Sequence, residues 1–190
     1  MRGKTVVVSH REMPGFAVMT PGKAATAGMT GLIGGAIVGA VAANEGKEAL
    51  QQHHVAPPET AVSQGLLKQL VSRNGARPVS AATNVKGGNA REIAAAYPQA
   101  DYVLDVFTTA WMGSYYPGTF SKYYILHGTK MQLIERSSGR VVAEGFHSYK
   151  GEDKEHAPNY DGIFANDAAF LKTETKKSTD GATVTFSGLL

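Results

Sequence analysis

Residues 101–111, Asp-Tyr-Val-Leu-Asp-Val-Phe-Thr-Thr-Ala-Trp, constrain the fold more than any other stretch of this chain. Successive side chains of an extended strand point to opposite faces. One face would carry Tyr102, Leu104, Val106, Thr108 and Ala110, and the other Val103, Asp105, Phe107, Thr109 and Trp111. Both faces are largely apolar, which predicts a central strand of a sheet covered on both sides.

The flanking segments supply partners for it. Asp101–Trp111, Lys122–Glu135 and Val141–Tyr149 read as an antiparallel three-strand meander. Tyr115-Tyr116-Pro117-Gly118 is the first turn, and Arg136-Ser137-Ser138-Gly139 is a tight hairpin loop with Gly139 available for the left-handed position. Short strands are expected at Thr5–Ser9 and Arg77–Ser80, and Thr83–Gly88 reads as a polar loop. Helices are predicted at Pro57–Asn74, with an apolar stripe of Val62, Leu66 and Leu70, at Asn89–Tyr97 and at Tyr160–Lys176. Pro57-Pro58-Glu59 suits a first helical turn, Asn74-Gly75 a helix stop, and Asn89 to Glu92 a capping box. The tail Ala182–Leu190 reads either as a strand, from the alternation of Val184 and Phe186, or as more helix after a break at Gly181. Gly145, inside a strand, marks a bulge or a close backbone approach.

The segment Ala24–Ala43, AATAGMTGLIGGAIVGAVAA, runs twenty residues without a charge. As a helix it would measure roughly 30 Å. Ala27, Gly31, Gly35, Gly39 and Ala43 fall on one stripe that admits a close backbone approach. Its five glycines would cost about 4–5 kcal/mol against alanine, so such a helix needs a packing partner. Two readings stay open: a glycine-zipper helix that assembles or inserts at a membrane through Gly31, Gly35 and Gly39, or a tightly packed helix within the domain.

The expected class is therefore an α/β (α+β) two-layer sandwich, a mixed sheet with an antiparallel meander covered by helices, plus a glycine-rich helix near the N-terminus. Residues 1–56 hold the N-terminal strand and the glycine-zipper segment, residues 57–190 the α/β domain, and the two are read as one structural unit.

Composition narrows the function. With 43% apolar and 18% charged residues in 190, the chain can build a core. The 19 Lys and Arg against 16 Asp and Glu leave a net charge of +3, and no basic run exceeds Lys176–Lys177, which argues against nucleic acid. Cysteine is absent, excluding disulfides and thiolate chemistry. Met1 is followed by only a short apolar run, Val6–Val8, so no signal peptide is legible. The protein is then either cytoplasmic or one whose export signal has been removed.

Motifs for chemistry are missing. No Gly-x-Ser-x-Gly elbow occurs, and the pairs Gly34-Gly35 and Gly87-Gly88 lack a phosphate-loop ending. Among six histidines, the adjacent His53-His54 would point apart. His127 and His147 could face each other across the second hairpin, with Asp105 completing a zinc-type site. Satisfied or solvent-facing histidines are the plainer alternative. Aromatic residues gather from Trp111 through Tyr115, Tyr116, Phe120, Tyr123 and Tyr124. Such a group either seats a protein partner, through Trp111, Tyr115, Tyr116 and Tyr123, or closes one end of the core.

The order of elements across Pro57–Lys177, with Ala100-Asp101-Tyr102-Val103-Leu104 leading into the meander, resembles the small α/β domains of bacterial envelope lipoproteins and assembly factors. The amino-terminal domain of the translocation protein TolB and the curli secretion lipoprotein are examples. The glycine pattern resembles the glycine-zipper segments of bacterial envelope proteins. No family motif is matched, so no site residue carries over. The resemblance implies a non-enzymatic envelope protein, periplasmic or outer-membrane-associated, without a cofactor or metal, that binds protein partners or itself and sits near a membrane. The alternative is a small soluble enzyme or ligand-binding domain using His127, His147 and Asp105.

Overall fold

The computed structural model describes residues 1–12, 15–20, 46–81 and 83–190. The Ala24–Ala43 segment, with Gly31, Gly35 and Gly39, lies outside the described residues. The strands are β1 (Thr5–Val8), β2 (His10–Arg11), β3 (Ala17–Val18), β4 (Arg77–Val79), β5 (Asn84–Val85), β6 (Tyr102–Tyr116), β7 (Thr119–Glu135) and β8 (Arg140–Lys150). The helices are α1 (Pro58–Asn74), α2 (Ala90–Ala95) and α3 (Ala165–Ser187), with a 3-10 turn at Asp161–Ile163 and a helical stretch over residues 46–52.

The main sheet has the order β4-β1-β6-β7-β8, with β3 pairing parallel to the distal half of β6. β1 runs parallel to both β4 and β6, while β6, β7 and β8 form the antiparallel meander. The fold is thus the expected α/β class with a mixed sheet. β2 and β5 make a separate parallel pair, where the polar loop Thr83–Gly88 was expected.

Three of the predicted helices form with the chemistry that proposed them. α1 ends on Gly75 at φ 65°, and the Gly75 and Ala76 amides donate to Val71 and Leu70 carbonyls. At α2 the Asn89 side chain accepts from the Glu92 amide while the Glu92 carboxylate accepts from the Asn89 amide, a complete capping box. α3 is longer than Tyr160–Lys176 and takes in the ambiguous tail as helix, through Gly181 without a break. A Cβ on Gly181 would come within 3.1 Å of the His147 ring, so glycine lets α3 lie closely on β8. Its buried stripe is Leu171, Thr175, Ser178, Ala182 and Phe186, in which small and polar residues stand where large apolar ones would have been legible.

α1 and α3 cover one face of the sheet. Val62, Leu66 and Leu70 of α1 and Ala182 and Phe186 of α3 pack on Val6, Leu104, Val106, Met131 and Leu133. Farther along the same face Phe16, Trp111, Tyr123, Ile125, Ile163 and Leu171 form a second cluster. α2 sits on the opposite face, where Ile93 and Tyr97 meet Val7, Val103 and Ile134.

Two details of β6 differ from the sequence reading. Aromatic residues suit a strand, so β6 continues through Tyr115 and Tyr116, which pair with Tyr123 and Thr119, and only Pro117–Gly118 turn. In addition, Thr108 pairs with Thr129 and Ala110 with Gly128, which leaves Thr109 as an extra residue. Such a bulge reverses the alternation beyond it. Trp111 therefore shares the α1/α3 face with Leu104, Val106 and Thr108, opposite to the strict alternation that grouped it with Asp105 and Phe107. Gly145 is a close approach and not a bulge: an added Cβ would lie 2.6 Å from Leu189 Cδ1 and 2.9 Å from Phe186 Cδ1. The bulge of β8 falls at Val142, because Val141 pairs with Ile134 and Ala143 with Leu133.

Candidate functional site

The trio His127, His147 and Asp105 does not assemble, because the sheet itself separates it. His127 pairs with Tyr149 and Thr129 with His147, so both histidines point toward α3. Asp105 is wholly buried on the other face. There it accepts from Ser9 Oγ at 2.5 Å and from Arg11 Nε at 3.0 Å, and its second oxygen pairs with the other Arg11 arm at 2.8 Å. The Arg11 guanidinium also lies 4.1 Å above the Phe107 ring. Asp105 thus anchors the β1–β2 segment. Among the described residues no group of three His, Asp or Glu side chains converges to hold a metal.

His127 instead sits in a buried polar chain between sheet and helices. Its Nδ1 is 2.7 Å from Ser178 Oγ of α3, and its Nε2 lies 3.1 Å from Thr129 Oγ1 and 3.4 Å from Thr108 Oγ1. Thr108 donates onward to Glu59 Oε2 of α1 at 2.9 Å. Burial, with His147 nearby, pushes the imidazole down to about 4. Burial likewise lowers His147, and it raises Glu59 against the opposing hydrogen bonds from its own amide and from Thr108. A Ser–His–Thr–Glu sequence of contacts invites comparison with a nucleophile and its base. His127 and Ser178 are each 0% exposed, however, and leave no approach for a substrate. The chain ties α1 and α3 to the sheet.

The aromatic residues divide by burial. Trp111, Tyr116 and Tyr123 are 4%, 8% and 3% exposed, Trp111 packs edge-on to Phe16 at 5.3 Å, and Tyr116 donates to the Gly151 carbonyl at 2.8 Å. They close the distal end of the core. Tyr115 is half-buried, and Phe120, packed 5.2 Å from it, is the exposed member. A partner at this end would therefore meet Phe120 and the edge of Tyr115, not the other three rings.

A surface that the sequence reading missed lies on the face of the sheet opposite α1 and α3. α2 covers only the half near β1. Beyond it, the cross-strand rows Ala110–Gly128–Ser148 and Met112–Leu126–Lys150 have no described element over them, and in the row Phe107–Lys130–Phe146 only Phe107 is covered, by Arg11 of β2. Phe146 is 60% exposed there and bends across Gly128. β8 is also the last strand of the sheet among the described residues, none of which pairs with its outer backbone edge. The alternation Glu144, Phe146, Ser148, Lys150, beyond the bulge at Val142, carries this surface, but only the tertiary structure tells an open face from a covered one. Among the described residues no helix is long and apolar enough to cross a membrane.

No family model and no curated protein matches this chain. Several solved structures are similar to it. Protein XCC0632 from Xanthomonas campestris, a DUF330 protein, is 12% identical over 99% of this chain and 86% of its own, with a TM-score of 0.44. The PelC dodecamer from Paraburkholderia phytofirmans is 14% identical over 100% and 90%, with a TM-score of 0.41. Lipoprotein GNA1162 from Neisseria meningitidis is 12% identical over 94% and 99%, with a TM-score of 0.29. Bacterial lipoproteins are thus among the structures this chain is similar to. Likenesses this loose follow the course of the chain and say nothing of what it binds.

Proposed function

We propose that this chain is a bacterial envelope protein, periplasmic or associated with the outer membrane, that works by protein association and not by catalysis. The observation that carries the reading is the half of the sheet that no helix among the described residues covers, with Phe146 60% exposed on β8, whose outer edge no described strand pairs. Grouped exposed apolar side chains mark interaction surfaces, and a free edge offers donors and acceptors to another strand. The envelope setting rests on the resemblance of element order and glycine pattern. A non-catalytic role is supported by the closure of the His127–Ser178 contact from solvent.

The occupant that this edge fits is a second copy of the chain. If β8 pairs antiparallel with its own two-fold image centred on His147, Glu144 lies opposite Lys150 twice and Phe146 opposite Ser148. The paired stretch then stops short of the bulge at Val142. Opposite charges directly across strands contribute roughly 0.2–1 kcal/mol each, and a two-fold interface uses the same patch on both copies. Light scattering after size exclusion tests this. Glu144→Lys and Lys150→Glu should each weaken the dimer, the double reversal should restore it, and Phe146→Glu should weaken it in any background. A strict monomer, or a double reversal no better than either single one, overturns self-association through β8. Fractionation of cells expressing the full-length gene tests the setting, and recovery only in the cytosol would refute it.

A further inference from the structure

At the opposite edge of the sheet, a cleft of about 840 Å³ opens beside the carboxyl ends of β1 and β4 and the first turns of α1. Ligand sites usually measure about 300–1,000 Å³, and open α/β sheets commonly bind ligands outside the carboxyl ends of their strands. Its apolar wall includes Val8, Leu67 and Val79, and Glu12 and Glu59 line the same space. Among the described residues no lysine lines it, the one lining arginine, Arg11, is already held by Asp105 at 2.8 Å, and His10 is the other basic side chain of the lining. The cleft is therefore acidic in charge and aliphatic in body.

A second, independent feature is Ser63 of α1. It lines the cleft and is only 5% exposed as a residue, while its hydroxyl is not sealed from solvent. That hydroxyl stands one helical turn after Glu59, on the same side of α1, where a ligand in the cleft can reach it. Glu59 is held from behind by Thr108 at 2.9 Å. Of the roughly four acceptor positions on a carboxylate, its own amide and Thr108 occupy only part. An anion is disfavoured, because Glu59 places its carboxylate in the first turn of α1, beside the space an anion would need.

We infer that this cleft binds an ammonium group on a short aliphatic stem, with the Glu59 carboxylate as its counter-charge, Ser63 Oγ as an acceptor and the valine and leucine wall around the stem. The ammonium could belong to a free alkylamine or to a lysine side chain of another protein. Both present the same chemistry. The site lies away from β8, so its failure would leave the self-association reading intact.

The test is an NMR titration of the full chain with 1,4-diaminobutane, with Nα-acetyl-lysine methylamide and with uncharged 1,4-butanediol. The expected result is saturable shifts of amides in Ser9–Glu12 and Glu59–Gln64 with an amine probe and none with the diol. Binding of the diamine alone assigns the site to free amines, and binding of the lysine derivative assigns it to a protein side chain. Glu59→Gln should weaken binding at least tenfold and Ser63→Ala several-fold, while Glu152→Gln, in the remote loop after β8, should not change it. Equal binding of the diol, shifts scattered elsewhere, or full affinity in Glu59→Gln overturns the proposal. The wild-type mapping decides the matter even where Glu59→Gln does not fold.

Discussion

Acid should loosen this protein through His127, and the size of the effect follows from its surroundings. The imidazole is 0% exposed, faces Ser178, Thr108 and Thr129, and has only one other ionisable ring nearby, His147. Burial without a counter-charge holds it neutral, down to about 4 from an ordinary 6.5. The unfolded chain takes up the proton first, so the stabilisation is complete above the unfolded value and is lost as pH falls toward the folded one. A difference of about 2.5 pH units at 1.36 kcal/mol each corresponds to about 3 kcal/mol. Glu59 acts with the opposite sign: its raised value means that the folded protein gains a proton early, which favours folding as pH falls. His147, lowered by burial, acts in the same direction as His127. Because Glu59 and His147 are present in both proteins, comparing wild type with His127→Gln isolates the one group. Urea unfolding of both, from about pH 7.5 to about pH 4, should show the wild type losing about 3 kcal/mol more than the variant. A gap that stays constant across this range refutes the buried neutral imidazole. So does an NMR titration of His127 near its ordinary value.

The close approach of α3 to β8 predicts that Gly145→Val, whose Cβ would press into Leu189 and Phe186, costs about 1–3 kcal/mol in urea unfolding. A neutral outcome would mean that α3 can shift without loss. The Asp105–Arg11 pair predicts that Asp105→Asn, which strands a guanidinium with little exposure, costs about 3–5 kcal/mol, and that Asp105→Leu with Arg11→Met recovers most of it. Equal stabilities of the single and double variants, measured by thermal unfolding, would show that the charges are not coupled.

How much of this was legible beforehand depends on how local the cause was. The hairpin at Gly139, the capping box at Asn89, the stop at Gly75 and the α1 stripe were all readable, because each rests on residues within a few positions of one another. The meander and the mixed α/β class were readable for a related reason: strand period and turn chemistry repeat along the chain. The single-residue bulge at Thr109 was not, since nothing in a Thr-Thr pair announces which one drops out of register. Its consequence, Trp111 turned into the α1/α3 face, is decided by what β7 sets against it.

The functional surfaces divide in the same way. The sequence by itself determined that the chain is an α/β domain with no cysteine and no recognisable catalytic motif, and it singled out the histidines and the aromatic cluster. Only the tertiary structure decided that Asp105 and His127 stand on opposite faces of one sheet, that three of the four aromatics are spent on the core, and that Phe146 faces water. The cleft, too, joins Glu12 to Glu59 and Ser63 across more than forty residues of chain. A side chain's periodicity states which neighbours share its face. Whether that face is buried depends on which distant element comes to lie upon it, and that is settled by packing across the sheet.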